Sequence, residues 1–342
     1  MSGPLSLGEV ASLVGGTVRG DPAQRLVGVR PLQSAEPDHL SFLSNRRYIK
    51  AAHASRAGAI LVGPDDDLGD RNVVVVPDPY RAFAEVMHHF HPHPIPVSAI
   101  DDAAWVAPDA VVEGARIEAF AWIGPGAVVG SGTHVEAGAV VGAGAVIGQN
   151  CRLMPNSVVM DNCTLGDRVW LNPGAIVGSE GFGFAPGPTG HLKIPQIGSV
   201  VLEDDVEVGA NACVDRAALD DTHVRNGAKL DNLVQVGHAA DVGEHSLMVA
   251  FSGVAGSSRL GRGVVLAAKA AVLGHLQVGD GVQVGVASAV TSDVVSGEQV
   301  TGVPAIAHKR WLRAATQFGH LATMSRTIRE LEKRLKKLEE SR

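Results

Sequence analysis

The sequence predicts a mainly β protein: a parallel β-helix of hexapeptide repeats, with a small α/β domain before it and a helical extension after it. Three observations carry this prediction. Aliphatic residues recur every six positions without a miss, the composition requires an interior of short side chains, and the period stops at both ends of the chain. The 342 residues leave room for several such parts.

Steps of six from Val111 meet Ile117, Ile123, Val129, Val135, Val141, Ile147, Leu153, Val159, Leu165, Leu171 and Val177. A second frame runs Leu202, Val208, Val214. After a four-residue shift a third runs from Val224 through Leu230, Val236, Val254 and Val272 to Val290. A helix repeats every 3.6 residues and a half-buried strand every 2, so neither explains six. A solenoid does: each hexapeptide forms one flat side of a triangular coil with its aliphatic residue pointing inward, and three close a turn of about 18 residues. Residues 18 apart then stand one above the other, about 4.8 Å apart. The general crossover rule taken alone predicts a right-handed coil.

Composition agrees. Hydrophobic residues make up 45% of the chain, but aromatics are only 4% and glycines number 41, as short aliphatic fillings between tight turns require. Two stretches interrupt the repeat: a Gly/Pro-rich excursion at 179–200 and a short phase shift at 215–223. In a solenoid, insertions map to loops, often at a binding face.

The period divides the chain into an α/β domain at 1–98, the β-helix at 99–302 and a helical extension at 303–342. In the first part, Ala59–Val62 and Val73–Val76 read as strands and Pro79–His89 as a helix. His88, His89, His91 and His93 follow among prolines. They form either a polar linker or a metal site, and the prolines, which break regular backbone, favour the linker. In the extension, Leu321, Met324, Ile328, Leu331, Leu335 and Leu338 form a heptad seam. That seam serves either a helical bundle or docking on its own subunit. Arg326, Arg329, Lys333, Arg334, Lys336 and Lys337 make the rest of this helix basic, which suits an acidic partner or a solvated face.

A net charge of −7 with no other basic cluster argues against a nucleic-acid surface. Cys151, Cys163 and Cys213 are odd in number and lack CxxC spacing, which fits neither a disulfide framework nor a zinc knuckle. The start, Met1-Ser2-Gly3-Pro4, is no secretory leader, and no run of about 18 apolar residues occurs, so a soluble cytoplasmic protein without stable membrane insertion is expected.

Chemistry is sought at the corners. His238 lies two residues after inward-pointing Val236, and an imidazole there is suited to take a proton near neutral pH. Gly256, 18 residues on, holds the same place after Val254, where a glycine lets a thioester carbonyl approach and offers an N–H to an oxyanion. His275 falls 19 residues further, on the next coil near the same corner. Each histidine alone has a bland alternative as an exposed corner residue, but the column of three argues against it. In the first domain, Phe42 and Tyr48 can stack on a planar base while Asn45 hydrogen-bonds its edge; a pair of core aromatics is the alternative.

Several runs then carry a resemblance over nearly the whole chain: Phe42-Leu-Ser-Asn-Arg-Arg-Tyr48, Gly181-Phe-Gly-Phe184, Lys193-Ile-Pro-Gln-Ile197, Asp215-Arg216, Leu219-Asp-Asp-Thr222, and Asp231-Asn232 with Gly237-His238. In order and spacing the chain resembles the UDP-3-O-(3-hydroxyacyl)glucosamine N-acyltransferases of lipid A biosynthesis. The resemblance implies a left-handed β-helix, an exception to the crossover rule, and a homotrimer. It implies His238 as general base, assisted by Asp231, with an oxyanion contact from Gly256 and a supporting His275, and uridine binding by Phe42, Asn45 and Tyr48. No metal or bound cofactor is implied. The donor would be a hydroxyacyl-acyl carrier protein, whose phosphopantetheine brings the acyl chain, and the acceptor UDP-3-O-acylglucosamine. Where relatives often carry methionines near the end of the acyl groove this chain has Ala287-Ser288-Ala289, which implies a longer acyl chain, and Phe184 replaces a frequent Tyr. Other readings remain: acyl transfer to another nucleotide sugar or a hydroxyl, a metal-dependent hydratase with converging histidines, or a non-catalytic scaffold.

Overall fold

A computed structural model describes residues 3–92, 96–302 and 308–340. The chain divides into two compact units, Met1–Ile95 and Pro96–Arg342. In the first, a five-stranded sheet has the order Thr17–Arg19, Val73–Val75, Ala59–Val62, His39–Phe42, Gly28–Val29. All neighbours are parallel except the first pair. Ala59–Val62 is buried at every position because both sheet faces are covered. Leu61 packs with Ala82, Val86 and Phe90, while Ile60 and Val62 pack with Leu43 and Ala52.

Three helices serve this sheet. Helix α1, Leu7–Leu13, starts from a capping box in which Ser6 and Glu9 bond each other's backbone N–H. Helix α2 spans Ile49–Ala54. Helix α3, Pro79–Phe90, has Asp78 as N-cap and Pro79 in its first turn. The histidine tract is therefore not all linker. His88 and His89 form the last turn of α3, His91 caps it, and His93 lies outside the described residues.

The second unit is a parallel β-helix with three faces, and its coil is left-handed, as the resemblance implied. Face one has eleven strands from Ala99–Ile100 to Gln299–Val300, face two ten from Trp105–Val106 to Ala289–Val290, and face three nine from Val111–Val112 to Gln277–Val278. Most strands are residue pairs whose second member points inward: Val141, Leu153, Val159 and Leu171 are wholly buried. The residue two places earlier also points inward and is small, as at Ala139, Cys151, Ser157 and Val169. This second filling explains two of the cysteines. Burial pushes the Cys151 thiol up to about 11 and raises that of Cys163.

Corners turn through left-handed backbone, often at Gly or Asn, as at Asn150, Asn156 and Asn162 with φ 54°, 60° and 58°, and elsewhere at residues such as Arg168 and Leu233. The repeat differs from its reading at both ends. The first coil is one residue short, so Val112 packs on the core while Val111 is exposed. At the far end, the coil continues past Val290 to the pair Gln299–Val300. Beyond it, helices α4, His308–Phe318, and α5, Leu321–Glu340, leave the whole heptad seam from Leu321 to Leu338 exposed, so it does not dock on its own chain. Among the described residues, no helix is long and apolar enough to cross a membrane.

Both interruptions leave from one corner, between faces two and three, on adjacent coils. The strand Ile176–Glu180 runs past that corner beside Cys213–Arg216, with a bulge between Val177 and Ser179. Residues 181–198 then project, carrying the antiparallel hairpin of Phe184–Gly187 and Gly190–Lys193, before Ser199–Leu202 resumes face three beside Asp221–Val224. Arg216 staples the coils, donating from Nε to the Gly178 carbonyl at 2.7 Å and from Nη2 to the Asp161 carbonyl at 2.9 Å.

Candidate active site

The next coil brings His238 to this same corner. Val236 is wholly buried on face two, and Ala239, at φ 56°, makes the turn and donates its N–H to Thr222 Oγ1 at 2.8 Å. The imidazole thus stands half-buried on the outer surface. It occupies the space of two missing side chains. A Cβ on Gly256 would lie 2.6 Å from both Cε1 and Nε2 of His238, and one on Gly181, from the projecting loop, 2.6 Å from its Cβ. Only glycine admits the ring at both places.

The column continues from His238 through Gly256 to Gly274, and this has a consequence for the backbone. Lower on the same corner, the Ala143 N–H is taken by Asp161 Oδ1, one coil on, at 2.8 Å. Gly274, at the matching place above Gly256, has no side chain, and among the described residues nothing accepts from the Gly256 N–H. His275 belongs to the neighbouring column, the left-handed positions Ala239, Ser257 and His275. It donates its backbone N–H to the Gly256 carbonyl at 3.2 Å, and its exposed side chain is outside the cleft, so the expected column of three reduces to two.

The cleft beside His238 measures about 650 Å³ and is lined by Ser179, Cys213, Asp215, Gln235 and Gly256, with Phe182, Phe184 and Lys193 from the projecting loop. Lys193 pairs with Glu180 at its mouth. Its acid is Asp215, whose Oδ1 accepts from Ser179 Oγ at 2.7 Å and Oδ2 from Gln235 Nε2 at 2.8 Å. Burial raises the Asp215 pKa, opposed by these two hydrogen bonds and by the nearby His238. Burial also raises the pKa of Cys213, helped by the charge of Asp215, which disfavours its thiolate.

Asp231, read as the acid assisting His238, stands elsewhere. It follows face one, so its corner is a full side away, and its carboxylate accepts from the backbone N–H of Asn232 at 2.7 Å and of Ala250 at 3.0 Å. Asp215 was missed because the four-residue excursion stretches the spacing between these coils to 22, pairing Cys213 with Gln235. With that spacing Asp215 falls level with Gly237, one residue before His238.

In the first unit, Phe42 and Tyr48 do share a cleft, of about 560 Å³. Phe42 stacks on Phe83 of α3 at 4.2 Å, with Tyr80 5.9 Å away. Arg47 lies over the Tyr48 ring, 4.6 Å from its centroid, and donates to its hydroxyl. Asn45 does not line this cleft: its Oδ1 accepts from the Arg47 N–H at 3.0 Å, capping a short helix, and it borders a smaller hollow with Arg46 and Asp66. A polar residue that sequence reading missed is Ser41, wholly buried at the cleft, its hydroxyl without a partner among the described residues.

Residues 23–89 match the family model described as UDP-3-O-(3-hydroxymyristoyl) glucosamine N-acyltransferase, LpxD, and residues 114–149 and 144–179 match that of bacterial transferase hexapeptide repeats. The chain is 46% identical to the UDP-3-O-acylglucosamine N-acyltransferase of Anaeromyxobacter dehalogenans strain 2CP-1 over 97% of its own length and 96% of that protein. It is 38% identical to the Pseudomonas fluorescens enzyme of the same name, over 98% and 96%. Among solved structures, the UDP-N-acetylglucosamine acyltransferase of Arabidopsis superposes with a TM-score of 0.54 at 20% identity, covering 60% of this chain and 71% of that one, a likeness of fold. With relatives of that name 38–46% identical over nearly the whole chain, and the family model matching within the N-terminal unit, this chain is an acyltransferase that belongs to the UDP-3-O-acylglucosamine N-acyltransferase family.

Proposed function

We propose that the chain transfers a 3-hydroxyacyl group from an acyl carrier protein thioester to the 2-amine of UDP-3-O-(3-hydroxyacyl)glucosamine, in cytoplasmic lipid A biosynthesis. The observation that carries this reading is the His238 imidazole wedged between Gly181 and Gly256 at the wall of a cleft, next to a backbone N–H with no acceptor among the described residues. His238 removes a proton from the acceptor nitrogen as it attacks the thioester carbonyl. The Gly256 N–H donates to the oxyanion. Collapse breaks the C–S bond, and the proton returns to the leaving sulfur as the carrier's thiol. Cys213 is not needed as a nucleophile.

Further features support the finer parts. Outward residues of the early coils are apolar on two adjacent faces: Trp105, Trp122, Val140 and Val158 on face two, Val111, Val128 and Val146 on face three. Face one instead carries Arg116, His134 and Arg152. Two different apolar faces on one prism suit a closed three-fold ring of copies. Above Gln235 the outward residues of face two shrink to Gly253, Ala271 and Ala289, a smooth floor for an acyl chain. The exposed basic residues of α5 suit the acidic surface of a carrier protein, and the aromatic cleft around Phe42 with the unpartnered Ser41 hydroxyl suits a uracil. Purified protein, incubated with UDP-3-O-acylglucosamine and a series of hydroxyacyl carrier proteins, should yield the N-acylated sugar nucleotide by mass; no product with any donor rejects the reading.

A further inference from the structure

We propose that Asp215 receives the acceptor's nitrogen and thereby selects an amine over a hydroxyl, an inference that rests on the acyl-transfer reading above. The carboxylate lines the same cleft as His238 and Gly256. Its two oxygens are oriented by neutral donors, Ser179 Oγ at 2.7 Å and Gln235 Nε2 at 2.8 Å. Among the described residues no Lys or Arg forms an ion pair with it. The adjacent Arg216 is spent on the Gly178 and Asp161 carbonyls, and Lys193 on Glu180. The site therefore holds a fixed anion whose natural complement is missing, and each oxygen keeps a lone pair for a further donor.

The chemistry of an amine acceptor supplies that complement. An amine arrives largely as ammonium, with three N–H protons. One stays in the amide, one passes through His238 to the leaving sulfur as the C–N bond forms and the C–S bond breaks, and one is released to solvent before attack. A hydroxyl acceptor has a single proton and no charge, so it needs only one base. A carboxylate beside the imidazole holds the ammonium, keeps hold of the amine by its remaining N–H, and gives a hydroxyl no comparable advantage. The charged and titratable groups facing Asp215 are His238, Cys213 and the Lys193–Glu180 pair.

Calorimetric binding of UDP-3-O-acylglucosamine, and of its analogue with a hydroxyl at C2, to wild type and Asp215→Asn tests this. The substitution should weaken binding of the amine about 10- to 100-fold, the range of a hydrogen bond to a charged group. The hydroxyl analogue should change by less than about threefold. Equal weakening of both ligands, or of neither, overturns the inference. Ser179→Ala is the second probe, and it leaves the carboxylate itself in place. It removes a donor that favours the ionised carboxylate, so the acidic limb of kcat/KM should move to higher pH while amine preference is kept. An unmoved limb overturns the assignment even if Asp215→Asn fails to fold. Wild type that acylates the amine while the variants leave selectivity and pH profile unchanged rejects this inference alone; wild type without acyl transfer rejects the functional reading and this one with it.

Discussion

Replacing Gly256 with Ala adds one methyl group at a point where the structure has no room for it. The new Cβ would fall 2.6 Å from both Cε1 and Nε2 of His238, against ordinary van der Waals contacts of about 3.5–4.0 Å. The ring therefore has to retreat by about 1 Å, because the Gly256 backbone is pinned from both sides: Ser257 donates to the His238 carbonyl at 2.9 Å and His275 to the Gly256 carbonyl at 3.2 Å. A misplacement of that size costs about 10²-fold in rate, and complete loss of the base about 10²–10⁴-fold. Gly256→Ala should therefore approach His238→Ala in kcat. Gly256 is not among the glycines with positive φ, so alanine fits its backbone and the melting temperature should stay within a few degrees. Steady-state acyl transfer read by mass, with melting followed by circular dichroism, checks both halves. A folded Gly256→Ala enzyme with near wild-type kcat would refute the proposed role of the His238 imidazole.

The remaining predictions concern the aromatic cleft of the first unit, the core and the thiols. Phe42→Ala removes the ring that stacks on Phe83 and should weaken UDP binding by about 1–3 kcal/mol, measured by calorimetry; unchanged affinity would exclude that cleft as the base site. Leu171→Ala empties a wholly buried inward position and should destabilise the coil by about 2–5 kcal/mol, visible in denaturant or thermal unfolding. Cys151 should resist alkylation at pH 8 until the protein is unfolded. Its thiol is raised from 9.0 to about 11, so the unfolded chain loses that proton first, and the stability it contributes is present below pH 9 and lost as pH climbs to about 11. Cys151→Ser should flatten that decline.

Much of this protein is legible before folding is considered. Ile117 to Val177 and Val224 to Val290 declare a solenoid because every flat side must turn an aliphatic residue inward at the same place, and the resulting 18-residue winding already sets Gly256 against His238. What the period cannot say is which partner a polar side chain takes. Asp231 precedes His238 closely in sequence but spends its carboxylate on the amides of Asn232 and Ala250 at another corner, whereas Asp215 reaches the cleft only because the chain between these coils is four residues longer than the repeat. Asn45, placed beside Phe42 and Tyr48 by sequence, caps a helix turn instead, and the Ser41 hydroxyl beside Phe42 is buried without a partner among the described residues. Inward positions follow from the periodicity, since transfer of apolar surface from water acts on every coil alike. The functional polar groups were decided by tertiary structure, because a hydrogen bond depends on distance and direction to one particular atom.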